Sequence, residues 1–505
     1  MKRVGFWPLA MLLAGGLHTA SFAPLGWWPL QIAALALLAG AVNAATPRQA
    51  AVRGFCFSVA WLTSGLWWLY ISMHDYGGMP APLAALAVVV LAAALSLYVA
   101  GAMALFAWLR RGRPVPDALG FAACWLLAEL ARGQFFTGFP WIASGYAHSD
   151  GVLAGLAPWI GVYGIGAVAA LLAMTLAMGW HAKTRSWRLA MLLVALPIAV
   201  QFAPREFTES TGTLRVSLLQ PNVAQDLKFD GDRIVGQMAA LQAQLQSAQG
   251  DLVVTPESVL PIPKDQLDPV YWQQLMAPFR SGVRAALVGT FLGNEQDGYV
   301  NSLVGVSAGG ERYSYGKRHL LPFGEYVPPG FRWFVDLMQI PLGDQASGRS
   351  EAPFVAGGQR LRPLICYEDL FGEHMVDSAV AGADEATMFV NVSNLAWFGR
   401  HMVQDQDLQF SRLRSLEFQR PMVRATNTGA TAVIDHRGRV TARLPAETAG
   451  TLDAEVEGRR GATPYARWLA AFGLWPLWGL GLAGVAGLAA GRAARVSRAA
   501  PPRYR

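Results

Sequence analysis

Leu361-Arg362-Pro363-Leu364-Ile365-Cys366-Tyr367-Glu368-Asp369 is the stretch on which the reading of this chain turns. A strand-like run from Leu361 to Ile365 ends in a cysteine that is followed at once by two carboxylates. A sheet behind such a strand can hold a thiol at the mouth of a pocket, where it acts as a nucleophile once another group removes its proton. A free cysteine alone is more often a small apolar core residue. The surrounding chain has to decide between the two.

Working outward, the composition shows two solvents. Of 505 residues only 15% are charged, against about 25% in a soluble domain, and the deficit is uneven. Residues 1–205 and 465–491 are nearly free of acids, whereas 206–463 reads as a water-soluble domain. Long apolar runs lie at 5–22, 28–46, 53–73, 81–109, 115–133, 152–180 and 187–204, with an eighth at 466–490. Each is near the ~20 residues that cross a bilayer.

The basic residues test that topology. Lys2 and Arg3 precede the first run; Arg48 and Arg53 lie near the junction of the second and third. Arg110, Arg111 and Arg113 follow the fourth, and Lys183, Arg185 and Arg188 follow the sixth. The alternate loops near Gly26 and Asp75 carry no Lys or Arg, the third has only Arg132, and Arg492, Arg495, Arg498, Arg503 and Arg505 close the chain. With eight spans every cluster falls on one side, so the positive-inside rule predicts cytoplasmic termini and a far-side domain at 206–463. The net charge of +7 therefore encodes topology, and no nucleic-acid partner is expected. Within the apolar half, Glu129 and Arg132 are spaced to pair on one helix face. The loop Phe135-Phe136-Thr137-Gly138-Phe139-Pro140-Trp141 reads as an interfacial belt or part of a lipid-facing mouth.

The far-side domain alternates strands and helices. Strand-like runs are Leu214–Gln220, Asp251–Pro256, Ala285–Phe291, Val300–Val306, Leu361–Cys366, Thr387–Val392 and Thr431–Asp435; helical spacing marks Arg233–Gln246 and about 403–419. Near-continuous apolar strands argue for a sheet covered on both faces.

Three of its stretches place an ionisable group where a strand ends. Val253-Val254-Thr255-Pro256 runs into Glu257, and Tyr313-Ser314-Tyr315-Gly316 runs into Lys317; the third ends at Cys366. A carboxylate to take the thiol proton, a thiol to attack a carbonyl and an ammonium to stabilise the oxyanion are the parts of an acyl transfer. A lysine close to the thiol also predicts a depressed thiol pKa. The other cysteines, Cys56 and Cys124, sit inside apolar runs with no CxxC or HExxH pattern, so neither a metal nor a cofactor is expected.

The stretches Thr255-Pro256-Glu257-Ser258, Tyr315-Gly316-Lys317-Arg318-His319-Leu320-Leu321-Pro322-Phe323-Gly324-Glu325-Tyr326-Val327-Pro328 and Ile365-Cys366-Tyr367-Glu368-Asp369 resemble the nitrilase superfamily over roughly 214–455. The resemblance implies an αββα sandwich with Glu257 as general base, Lys317 as oxyanion stabiliser and Cys366 as nucleophile. Glu325, Tyr367 and Glu368 support them, with the Tyr367 backbone N–H added to the oxyanion hole. Asn391, Trp397 and the Arg424–Gly429 stretch are pocket-wall or fold landmarks.

A nitrilase-like domain between a seventh and an eighth helix is similar to the apolipoprotein N-acyltransferase family, and that likeness covers nearly the whole chain. It implies a multi-pass protein of the bacterial inner membrane, both termini cytoplasmic and the catalytic domain periplasmic. Its divisions are a seven-helix region at 1–205, the catalytic domain at 206–463, a last helix at 464–491 and a basic tail at 492–505. The implied donor is a phospholipid, phosphatidylethanolamine, and the acceptor is the amino group of a diacylglyceryl-apolipoprotein, served by a monomer. Both substrates are bilayer-anchored, and the apolar arm Phe323, Tyr326, Val327, Pro328, Pro329, Phe331, Trp333, Phe334, Val335, Leu337 and Met338 reads as a membrane-facing lid. Phe229 stands where the family commonly has tryptophan. Two other readings use the same residues: a membrane-anchored amidohydrolase with water as acceptor, and a lipid-binding scaffold without chemistry.

Overall fold

The computed structural model describes residues 6–179, 195, 199, 206–228, 231–333, 345–349 and 352–499. Phe229, the arm residues Phe334, Val335, Leu337 and Met338, and nearly all of the expected run 187–204 lie outside the described residues. Two compact units emerge: Met1–Trp67 with Ala85–Arg205 and Ala471–Arg505, and Trp68–Ala84 with Glu206–Ala470.

The first unit is helical. Its helices are α1 (Phe6–Thr19), α2 (Pro29–Asn43), α3 (Pro47–Gly65), α4 (Ala81–Leu109), α5 (Pro114–Gln134) and α6 (Ala157–Gly179). Thr46 starts α3 with a reciprocal cap: its hydroxyl accepts from the Gln49 N–H at 3.3 Å and the Gln49 amide accepts from the Thr46 N–H at 3.0 Å. Among the described residues, three helices are long and apolar enough to cross a membrane alone, or up to five if each of two bent pairs is one span. Those bends depart from the sequence reading. The run 53–73 is interrupted after Gly65, where α3 ends, and helix resumes only at Leu69–Tyr76.

The last run breaks too, into Pro464–Phe472 and Trp475–Arg492. Gly473, at φ 56°, supplies the left-handed residue that ends a helix, and Pro476 suits the first turn of the next. The pair Glu129 and Arg132 is buried at 3.7 Å. It also pins the chain that follows α5, because Glu129 accepts the Ser144 N–H at 2.7 Å and Arg132 donates to the carbonyls of Phe139 and Trp141 at 2.8 and 2.9 Å.

The second unit is a sandwich of two six-stranded sheets. In order along the chain the elements are β1 (Glu209–Gln220), α7 (Gly231–Ser247), β2 (Leu252–Val254), α8 (Pro269–Met276), β3 (Ala285–Asn294), β4 (Gly298–Ser307), β5 (Gly310–Gly316), β6 (Phe354–Ala356), β7 (Gln359–Ile365), β8 (Met388–Ser393), α9 (Val403–Phe418), β9 (Met422–Thr426), β10 (Ala432–Ile434), β11 (Val440–Arg443) and β12 (Gly450–Arg460). The sheet orders are β12-β1-β2-β3-β4-β5 and β11-β10-β9-β8-β7-β6. Each has a parallel centre, β1-β2-β3 and β7-β8-β9, flanked by antiparallel strands.

Strands β7, β8 and β9 are buried along almost their whole length, as parallel strands covered on both faces must be. On the other sheet Val253, Val288 and Val304 pack against Leu241 and Leu245 of α7 and Leu275 and Met276 of α8. Full burial of each such side chain contributes about 1.5–3 kcal/mol. Strands β6, β9, β11 and β12 escaped the sequence reading; β12 is short of apolar residues, and four of its eleven positions are exposed.

Trp68–Ala84 packs with this unit. The Trp68 indole N–H donates to Gln406 at 3.3 Å and its ring meets Phe398 edge-on at 4.9 Å, while Tyr76 meets Trp397 at 5.8 Å.

Gly289 of β3 fixes the approach of the loop after β2. A Cβ there would sit 2.1 Å from the Pro256 carbonyl oxygen and 2.9 Å from the Ser258 nitrogen. Gly289→Ala should therefore destabilise the unit by about 1–3 kcal/mol and displace Glu257, read as a lowered thermal midpoint together with lost activity. An unchanged midpoint would contradict this packing.

Candidate active site

The candidate groups gather at the carboxyl ends of the parallel strands β2, β7 and β8 and of the flanking strand β5, the end of an open α/β sheet where ligands bind. Cys366 follows β7, Glu257 lies three residues beyond β2, Lys317 follows β5, and Asn391 and Asn394 come from the end of β8. Three residues without glycine's freedom take positive φ here: Cys366 at 57°, Ser258 at 45° and Phe323 at 61°. Each such residue costs about 1–3 kcal/mol, strain that is kept where it aims a functional group.

Lys317 is the centre. Its side chain is 1% exposed, and its ammonium stands 2.7 Å from Glu325 Oε1 and 3.6 Å from Glu257 Oε1. It also lies over the Tyr367 ring at 5.6 Å. Burial works against its charge, but Glu325, Cys366 and Glu257 outweigh it and hold the ammonium well above the ordinary lysine range.

Glu257 has a defined orientation. Its Oε1 accepts from the Asn301 amide at 2.7 Å and its Oε2 from the Asn394 N–H at 2.8 Å. Asn301 sits mid-strand in β4 and reaches Glu325 as well, at 3.4 Å. Glu325 closes the loop by accepting the Leu321 N–H at 2.8 Å.

The turn carrying Cys366 is clamped by Glu368. One carboxylate oxygen accepts the Ile365 N–H at 2.7 Å and the Tyr315 hydroxyl at 2.8 Å; the other accepts the N–H groups of Arg318 and His319 at 2.7 and 3.1 Å. The nucleophile turn and the chain just past Lys317 are thereby fixed to one carboxylate. Asn391 donates to the Cys366 carbonyl at 2.8 Å, so its amide supports the turn. Tyr367 donates its hydroxyl to the Leu320 carbonyl at 2.6 Å.

Behind the turn, Arg424 of β9 pairs with Asp369 at 3.1 Å and with Asp407 of α9, while Ser411 bonds to both Asp369 and Arg424. Burial and the neighbouring Asp407 raise Asp369 to about 7, against the pull of Arg424.

The thiol reverses one expectation. Burial and the adjacent Glu257 push Cys366 well above the ordinary cysteine range, and Lys317 only partly opposes them. The sequence shows the lysine and the carboxylate but not the depth of burial, nor that the carboxylate's effect on the sulfur outweighs the lysine's. At neutral pH Cys366 rests as a thiol.

The remaining expected site residues are spread along the edges. Phe323 meets Phe331 edge-on at 5.4 Å and its N–H donates to the Tyr326 carbonyl at 2.9 Å; both side chains are half-buried. Trp333 is 64% exposed and Phe331 46%. Trp397 rests on Tyr76. Among the described residues no cluster of His, Cys, Asp or Glu could hold a metal ion.

A further contributor was not foreseen. Lys228 is buried and donates to the Ser258 hydroxyl at 2.8 Å, beside a cleft lined by Val223, Gln237, Leu241, Glu257 and Asn427 among others. A lysine in the polar stretch Gln225-Asp226-Leu227-Lys228 looks like a solvated loop charge, which hid it.

Two family models match the chain: apolipoprotein N-acyltransferase N-terminal domain over residues 14–175 and carbon-nitrogen hydrolase over residues 215–465. The chain is similar to proteins named apolipoprotein N-acyltransferase. That of Verminephrobacter eiseniae is 48% identical over 501 residues, 93% of this chain and 94% of the relative. That of Ralstonia nicotianae is 46% identical over 473 residues, 91% and 89% respectively. A third, from Bordetella bronchiseptica, is 41% identical over 520 residues, 92% and 95%.

The charge arrangement predicts a titration. Alkylation of the Cys366 peptide, followed by mass spectrometry across pH, should report a thiolate midpoint above that of free cysteine. Glu257→Gln, which removes a negative neighbour, should lower the midpoint, and Lys317→Met should raise it. A wild-type midpoint at or below that of free cysteine would refute the assignment.

Proposed function

Because the chain belongs to the apolipoprotein N-acyltransferase family, we propose a thioester route for the acyl transfer to lipoproteins that it catalyses. Glu257 takes the Sγ proton of Cys366 as sulfur attacks the ester carbonyl of a phospholipid, phosphatidylethanolamine. The Lys317 ammonium and the Tyr367 backbone N–H stabilise the oxyanion. Collapse breaks the ester C–O bond, and protonated Glu257 gives its proton to the departing lysophospholipid alcohol. The α-amino group of the diacylglyceryl-cysteine then attacks the thioester. Its proton passes to Glu257, the amide C–N bond forms, the C–S bond breaks, and the thiolate recovers the proton.

The observation that carries this reading is the buried ammonium between two carboxylates, 2.7 and 3.6 Å away, at the strand ends that also deliver a cysteine with φ 57°. A thiol raised in pKa fits a mechanism in which deprotonation and attack are coupled. Splitting one amide synthesis into two displacements follows the logic of covalent catalysis. Glu325 positions Lys317, and Glu368 and Asn391 position the nucleophile turn. The apolar side chains Phe229, Phe323, Tyr326, Trp333 and Trp397 are assigned to the substrate route, a reading supported by the exposure of Trp333 and Phe331.

The membrane arrangement belongs to the same proposal. Eight spans, with 1–205 and 464–491 in the bacterial inner membrane, put residues 206–463 on the periplasmic side and both termini, with the basic tail 492–505, in the cytoplasm. The one-sided arginine clusters support it, and a monomer holds the complete set of groups.

Incubating the purified chain with acyl-labelled phosphatidylethanolamine should place a hydroxylamine-sensitive label on the Cys366 peptide. Adding a diacylglyceryl lipopeptide with a free amine should discharge that label into an amide. A label retained by Cys366→Ala protein would overturn the thioester, and release as free fatty acid with no amide would make the protein a hydrolase.

A further inference from the structure

Beneath the Cys366 turn the sheet carries buried polar side chains where central parallel strands normally hold apolar ones. Leu364 of β7 is in register with Asn391 of β8, and Asn391 with Arg424 of β9, so Asn391 and Arg424 share a sheet face. Both are fully buried. They reach different points of the turn Cys366–Leu370. Asn391 donates to the Cys366 carbonyl at 2.8 Å, and Arg424 donates to Asp369 Oδ2 at 3.1 Å. The turn is thus held at its first residue and at its fourth.

Helix α9 fixes Arg424 in turn. Asp407 and Ser411 stand about one helical turn apart on it, both buried. Asp407 accepts from one terminal nitrogen of the Arg424 guanidinium; Ser411 accepts from the other and donates to Asp369 Oδ2. Apolar side chains of similar volume often stabilise such a site as well as a buried ion pair does, so directional bonding is what this cluster adds. The turn needs it: Cys366 sits at φ 57°, a conformation that persists only where its surroundings over-determine it.

We propose that Asp369 is a positioning residue of the nucleophile: held by Arg424 and Ser411, it anchors the far end of the Cys366 turn to β9 and α9 and so fixes the direction in which Sγ meets the acyl carbonyl. This rests on Cys366 being the nucleophile of the thioester route, and the test reads acylation of that sulfur without a phospholipid. The detergent-purified full chain is mixed with p-nitrophenyl butyrate. The nitrophenolate burst is followed for wild type, Asp369→Ala, Arg424→Met and the double variant, with Cys366→Ala as the blank. Burst amplitude counts folded sites, and the burst rate constant reports how the sulfur is aimed. Each single substitution should lower the rate constant by about tenfold or more with the amplitude retained. Because Asp369 acts through Arg424, the double variant should be no slower than the slower single.

Amplitudes that fall while rate constants stay within about twofold of wild type would make the pair a purely structural contact and overturn the proposal. So would a double variant slowed by the product of the two single losses. Should Arg424→Met fail to fold, Asp369→Asn decides, because it keeps an oxygen for Arg424 and Ser411. A rate constant nearer to wild type than to Asp369→Ala supports the anchor, and one as slow as Asp369→Ala overturns it. A burst that survives in Cys366→Ala removes the nucleophile assignment and the proposal with it. A wild-type burst without label from phosphatidylethanolamine removes only the donor assignment.

Discussion

A single buried ammonium imposes the strictest constraint on the catalytic unit. Lys317 is shut away from water with two carboxylates within 3.6 Å, and a charge in that setting is tolerated only where its partners are fixed. The ammonium, Glu257 and Glu325 form a set with one cation and two anions, and a sulfur whose ionisation would add a third negative charge. The thiol is therefore held protonated at rest. In the proposed mechanism its proton leaves only as the developing charge passes to a carbonyl oxygen, so that the transition-state anion is favoured over the resting one, as catalysis by differential stabilisation requires.

Residues at several strand ends and inside β3 and β4 hold that set in place. Glu368 ties the Cys366 turn to the chain on both sides of Lys317 through four hydrogen bonds, to Ile365, Tyr315, Arg318 and His319, so the sulfur and the ammonium cannot drift apart independently. Asn301 and Asn394 fix both oxygens of Glu257, and Gly289 leaves room for the loop that carries it. The strained residues Cys366 and Ser258 stand at the centre of these contacts, where a rigid double sheet can hold them.

How much of this the sequence disclosed depended on whether a residue's role is local. Glu257, Lys317 and Cys366 stood out because each ends a strand-like stretch, and the alternation of strands and helices was legible from hydrophobic periodicity. Asn301 was readable in principle as an amide inside the apolar strand Val300–Val306. Lys228 was not, because its partner Ser258 is 30 residues away and nothing local marks it as buried. The thiol's raised pKa was misjudged, since the neighbouring Lys317 and Glu257 can be inferred from motif order while burial, the largest cause of the rise, comes only from packing. Continuous hydropathy likewise hid the bends after Gly65 and at Gly473; the Gly473-Leu474-Trp475-Pro476 order held the signal for the second.

The most direct measurement is the single-turnover acylation rate of Cys366 in Lys317→Met, with Cys366 alkylation checked in the same preparation to show that the sulfur remains accessible. If the ammonium stabilises the oxyanion, acylation falls by about a hundredfold or more while the sulfur still alkylates. A loss within about tenfold would contradict it, leaving Lys317 as a neutralising partner of two buried carboxylates and nothing more.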